Sequence, residues 1–114
     1  MKIYHNNSCT KSRGCYSLLQ EKGIEFETIE YLKTPLSKNE LVDLLTKLNI
    51  SAKELVRKNE VEYKQNFEGN ELNESQWIEA MVQYPNLIER PIIVKGDIAV
   101  IGRPIEKVIQ LLDN

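Results

Sequence analysis

Apolar and polar positions along this chain alternate, break and re-form in a way that marks out its elements in turn. Lys2-Ile3-Tyr4 reads as a short strand that ends near His5. Over roughly Thr10 to Lys22, Cys15, Leu18 and Leu19 recur at helical spacing, and Gly23 supplies a stop. Ile24 to Ile29 then alternates apolar with polar, the period of a half-exposed strand. These three elements form a β-α-β unit, for which a right-handed parallel crossover is the expected geometry.

The middle of the chain changes period. Ser37 and Glu40 have the spacing of a capping box, in which the hydroxyl and the carboxylate each satisfy a backbone N–H of the first turn. The helix they open carries Leu41, Leu44, Leu45 and Leu48 as its apolar stripe, and Asn49 closes it. Ser51 and Glu54 repeat the spacing for a short helix toward Arg57. Lys58 to Gly69 is polar with scattered aromatics and gives no clear element. Asn73-Glu74-Ser75-Gln76 starts another helix, with Trp77, Ile78, Met81 and Val82 as its buried face, and Pro85 ends it.

The last third returns to sheet. Pro91 to Val94 and Ile98 to Ile101 flank Lys95-Gly96-Asp97, a tight turn suited to a hairpin. Pro104 stands at the favoured first position of a helix running from Ile105 to Leu112. The pattern predicts one α/β domain over residues 1–114, β-α-β then β-β-α, with a helical insert at about 37–84 between the halves. A chain of 114 residues is long enough for one real core.

Composition narrows the function classes. A formal net charge of −2 gives no general attraction to nucleic acid or anionic membranes. No apolar run approaches the roughly 20 residues that span a bilayer, and the N-terminus lacks the features of a signal peptide, so a cytoplasmic location is expected. Two cysteines are too few for a disulfide scaffold, and a single histidine with no Cys/His cluster argues against a metal site.

The residue with the most chemistry is Cys9, four positions after His5 and at the expected start of the first helix. A thiol there meets unpaired backbone N–H groups and the positive end of the helix dipole, and both favour the thiolate, which is the nucleophile. An ordinary thiol, with a pKa of about 8.5, is only a few per cent ionised at neutral pH. His5, Lys11 and Arg13 stand close by in sequence to add to the effect. Cys15 falls instead on the apolar face with Leu18 and Leu19 and reads as a buried, inert thiol. Six residues of helix would hold the two sulfurs' backbones about 9 Å apart and about 120° around the axis, too far for a disulfide. Any resolving thiol must then come from outside. Arg90 and Arg103 each precede a proline at the edge of a sheet or helix element, where open α/β sheets place their sites. Arg57, Lys11 and Lys58 have the surroundings of solvated side chains.

Five ordered motifs carry a resemblance to a known family: Tyr4-His5-Asn6 with Cys9 and Ser12-Arg13, Tyr31-Leu32 with Pro35, Leu55 to Asn59, Glu89 to Ile92, and Gly102 to Glu106. Over nearly its full length the chain resembles the glutaredoxin-coupled arsenate reductases, which have a thioredoxin-like mixed sheet. The resemblance implies that Cys9 attacks arsenate or a similar oxyanion, and that Arg57, Arg90 and Arg103 hold the oxyanion. It implies that His5 helps to set the thiol's ionisation and that Ser12 and Arg13 lie near the nucleophile. It further implies a cis peptide before Pro91, glutathione as co-substrate, glutaredoxin as electron-donating partner, and no bound cofactor. One departure is Asn7, where the family often has proline.

Two other readings stand beside this one. Relatives of the family act as non-enzymatic regulators that bind RNA polymerase, but those usually carry Cys-x-x-Cys, and here its fourth position is Ser12. A general thiol oxidoreductase acting on glutathionylated proteins would use the same Cys9.

Overall fold

The computed structural model describes residues 1–5, 10–103 and 105–113, with the side chains of all of these except residues 10–12. In chain order the elements are β1 (Lys2–Tyr4), α1 (Thr10–Glu21), β2 (Glu27–Ile29), α2 (Lys38–Leu48), α3 (Ala52–Leu55), α4 (Val61–Asn66), α5 (Glu74–Gln83), a 3₁₀ turn (Pro85–Leu87), β3 (Ile92–Lys95), β4 (Ile98–Ile101) and α6 (Glu106–Leu112). They gather into two compact units, Met1–Thr34 with Arg90–Asn114, and Pro35–Glu89. No helix among the described residues is long and apolar enough to cross a membrane.

The first unit holds a four-stranded mixed sheet in the order β2-β1-β3-β4. β1 and β2 run parallel, as the β-α-β reading expects, while β1 with β3 and β3 with β4 are antiparallel. This is the mixed thioredoxin-like sheet that the sequence leads one to expect. β2 is shorter than its alternating pattern: only Glu27, Thr28 and Ile29 find partners, because β1 offers only Lys2, Ile3 and Tyr4 to pair with. The hairpin between β3 and β4 closes through Gly96 at φ 61°, left-handed geometry that glycine enters without steric cost.

Ile3 pairs with Ile93 across the sheet, and both point into a cluster with Cys15 and Leu19 from α1 and Val108 and Leu111 from α6. Cys15 is thus core, as its position on the apolar face predicts, with 1% of its surface exposed. Its sulfur lies 3.7 Å from the Gly102 carbonyl oxygen, to which the thiol donates. Glycine at 102 is required by space. A Cβ there would sit 2.7 Å from the Cys15 sulfur, 3.0 Å from Cγ of Pro91 and 3.1 Å from Cγ2 of Val108.

The second unit is helical, built on α2 to α5. Ser37 accepts from the Glu40 N–H at 3.2 Å while Glu40 accepts from the Ser37 N–H at 3.1 Å, completing the expected box. Asn49 caps α2 in left-handed geometry at φ 57°. Asn73 and Gln76 form a second reciprocal pair at the start of α5. The apolar side of α5 departs slightly from expectation. Trp77, Ile78 and Met81 are buried, but Ala80 joins them, while Val82 is only half-buried. The stretch that gave no clear element contains α4. None of its residues is buried; it is held by rings, with Tyr63 stacked on Trp77 at 6.2 Å and Phe67 against Trp77 and Tyr84 at 5.9 and 5.8 Å. Such ring pairs contribute about 0.5–1.5 kcal/mol each beyond burial. The expected role of Pro104 at the start of α6 lies outside the described residues.

Two stability measurements test this account. Gly102→Ala is expected to lower the unfolding free energy by about 1–3 kcal/mol, the usual cost of overpacking. Adding Cys15→Ala should recover part of that loss, because it removes the shortest clash; additive losses in urea melts would refute the contact. Ser37→Ala is expected to cost about 1 kcal/mol through loss of the N-cap, read as a lower urea midpoint with an unchanged slope.

Candidate functional site

The chain reaches the candidate site from several directions. β1 delivers His5 at its C-terminal end, where the His5 N–H donates to the Ile29 carbonyl at 2.9 Å and continues the parallel pairing with β2. The imidazole is buried, with 4% of the residue exposed, and packs on Tyr16 of α1 at 5.2 Å between ring centroids. Tyr16 in turn meets Phe26 edge-on. Nδ1 of His5 has no hydrogen-bond partner among the described residues. Cys9 and the side chain of Ser12 lie outside the described residues. Arg13 is exposed on α1 and lines one cleft with His5.

Arg90, Pro91 and Arg103 come together at the start of β3 and just beyond the end of β4. The Arg90–Pro91 peptide is cis, as the resemblance implies. Two hydrogen bonds tie the segments: the Gly102 N–H donates to the Pro91 carbonyl at 2.8 Å, and Nε of Arg103 donates to the Arg90 carbonyl at 2.6 Å. The Arg90 side chain runs inward, leaving the residue 8% exposed, and its guanidinium lies 3.5 Å from the hydroxyl of Tyr31, which is fully buried. Two cationic side chains are therefore set from adjoining backbone positions, one buried and one half-buried. A guanidinium presents a planar fork of donors that matches two oxygens of a tetrahedral oxyanion.

Arg57 belongs to the second unit and is not the solvated surface arginine that its polar neighbours suggest. Its backbone N–H donates to the Leu87 carbonyl at 2.7 Å, beside the antiparallel bridge between Val56 and Ile88. Its side chain, 18% exposed, lies 2.8 Å from a Glu60 carboxylate oxygen and 3.3 Å from one of Glu89. One guanidinium thus faces two carboxylates, which fix its orientation and lower the positive potential it presents.

Glu60, Glu89, Tyr31 and Gly102 are the positions that reading for site residues missed. Glu60 stands three residues after Arg57, a spacing that permits a local ion pair. Glu89 and Tyr31 lie inside quoted motifs, but their contacts are long-range and leave no local signal. Among the described residues no group of three or more His, Cys, Asp or Glu is placed to hold a metal ion.

Comparisons with known proteins bear on this arrangement. The model of the ArsC family matches residues 4–111. The protein YfgD of Escherichia coli K12, described as uncharacterized, is 46% identical over 114 residues, covering 98% of this chain and 96% of that one. An arsenate reductase of Neisseria meningitidis is 38% identical, covering 95% and 94%. The solved structure of an arsenate reductase from Vibrio cholerae superimposes with a TM-score of 0.90 at 38% identity, covering 96% of this chain and 97% of the other. The shared sheet, the matched motifs and the near-complete overlap leave one assignment: the chain belongs to the ArsC family.

Proposed function

We propose that this chain is a thiol-dependent enzyme that reduces arsenate to arsenite. The observation that supports this most is the bond from Nε of Arg103 to the Arg90 carbonyl, which ties the backbone positions of two arginines together in an ArsC-family chain. In this reading Cys9 thiolate attacks the pentavalent arsenic and an oxygen leaves as water. Arg90 and Arg103 offset the charge gathering on the remaining oxygens. The resemblance extends the same role to Arg57 and gives His5 and Ser12 the task of favouring the Cys9 thiolate. Arg13 and Pro91 support the site. The whole chain acts as a single thioredoxin-like domain with a helical insert over about 37–84.

The electrons come from two thiols. An external thiol, glutathione in this reading, attacks the sulfur of the Cys9–arsenic adduct. A Cys9–glutathione disulfide forms, and the arsenic leaves with two more electrons, as arsenite. Per turnover, arsenate and two thiols become arsenite, one disulfide and one water. Glutaredoxin then returns Cys9 to the thiol. Cys15 takes no part, because its sulfur is packed under Gly102.

A coupled assay with arsenate, glutathione, glutaredoxin and a nicotinamide readout tests the proposal. Turnover is expected and should vanish in Cys9→Ser. Arg90→Ala and Arg103→Ala should each raise the KM for arsenate roughly ten- to a hundredfold, the worth of a hydrogen bond to a charged group. Lysine at either position should restore only part, since a point charge does not reproduce the fork. Absence of turnover together with retention of RNA polymerase on the immobilised protein would favour the regulatory reading instead.

Selective alkylation supplies an independent check. Iodoacetamide at pH 6, followed by peptide mapping, is expected to modify Cys9 and spare Cys15, and Cys15→Ala should keep most of the turnover. Equal labelling of the two thiols in the folded protein would count against the assigned nucleophile.

A further inference from the structure

A cleft of about 520 Å³ opens along α1 in the first unit, lined by His5, Arg13, Tyr16, Ser17, Thr28 and Glu30. Its size falls within the range of small-molecule sites, about 300–1,000 Å³. The lining follows from the elements. Arg13, Tyr16 and Ser17 are three and four residues apart and share one face of α1. Thr28 and Glu30 are two residues apart along β2 and its end, so they project to the same side.

The chemistry of this lining is specific. Arg13 brings a guanidinium and Glu30 a carboxylate, while Ser17, Thr28 and Tyr16 bring hydroxyls. Glu30 has an exposed ion pair with Lys33 at 3.4 Å, of the kind that contributes little and is readily exchanged. His5 contributes in another way, being only 4% exposed. His5 thus forms the closed end of the cleft with its ring, and the charged and hydroxyl groups of the other residues supply the polar contacts. Opposite charges in one cleft select a ligand that itself carries both. A dianionic oxyanion would meet Glu30 as a like charge, and an uncharged thiol would engage neither group.

We propose that this cleft binds the zwitterionic α-amino-acid end of the thiol peptide that resolves the Cys9 adduct. Arg13 takes its carboxylate and Glu30 its ammonium group, and the hydroxyls of Ser17 and Thr28 take its other polar atoms. The inference rests on the functional reading above, which requires an external thiol. The lining suits that role, because His5 and Arg13 each stand four residues from Cys9 in the chain.

His5 is the only histidine of the sequence, so its imidazole gives a single, unambiguous NMR reporter at the cleft wall. The probe is S-methylglutathione, which carries the zwitterion but has no thiol to react. A saturable shift of the His5 resonances is expected, with at least fivefold weaker binding in Glu30→Gln and in Thr28→Val. In turnover, Glu30→Gln should raise the KM for glutathione at least fivefold while leaving the KM for arsenate and the rate with 2-mercaptoethanol unchanged. A silent titration, or equal affinity and KM in Glu30→Gln and the parent, overturns the assignment while leaving arsenate reduction intact. If instead arsenate is not turned over at all, the functional reading fails, and the titration alone decides whether the cleft takes the zwitterion.

Discussion

The candidate site depends on the absence of a side chain at Gly102. The helix carrying Cys15, the cis proline that opens β3 and the helix carrying Val108 all approach within about 3 Å of where a Cβ would stand. Because nothing fills that point, the backbone leaving β4 can lie against the segment entering β3. The Gly102 N–H reaches the Pro91 carbonyl, and the next residue sends Nε to the Arg90 carbonyl. The placement of Arg103 beside Arg90 is therefore a consequence of core packing. The cluster of Ile3, Cys15, Leu19, Ile93, Val108 and Leu111 beneath the sheet fixes the geometry from which both guanidinium groups project.

The three arginines are held in different ways, and the difference matters for electrostatics. Arg103 is anchored through a neutral backbone carbonyl. Arg90 is buried beside a phenol, also neutral, where a charge interacts more strongly than it would in water. Arg57 shares its guanidinium between Glu60 and Glu89, so its surroundings carry net negative charge. The carboxylates hold Arg57 in one orientation at the cost of its attraction for anions.

How much of this was legible in the sequence follows the range of the interactions. Ser37 with Glu40, Asn73 with Gln76 and the closing turn at Asn49 are contacts within a few residues, and their spacing announces them. The hairpin through Gly96 is equally local. β2 was misjudged in length because alternation reports which side chains face out, whereas strand length is set by the partner strand. α4 was invisible because it has no apolar stripe, and its support comes from Trp77, ten or more residues away. Arg57 looked solvated because Glu89 lies 32 positions further along the chain and no periodicity links the two. Arg90 and Arg103 stood out by their junctions before proline, whereas the cis peptide was expected only from the resemblance.

The order of strands has a consequence for how the protein is made. β1 lies inside the sheet, with β2 on one side and β3 on the other, and Ile3 is registered opposite Ile93. On the ribosome, β1, α1 and β2 emerge early, yet one edge of β1 waits for some ninety residues before its second neighbour exists. The unit spanning Pro35–Glu89 is contiguous and can close on itself during that interval. Chain synthesis at about 5–20 residues per second makes the wait several seconds, during which an apolar strand edge and the Ile3 face stand open to other chains. Crowding and translation speed should therefore govern the yield of soluble protein more than the final stability does, and slower emergence of the last segment prolongs the exposure.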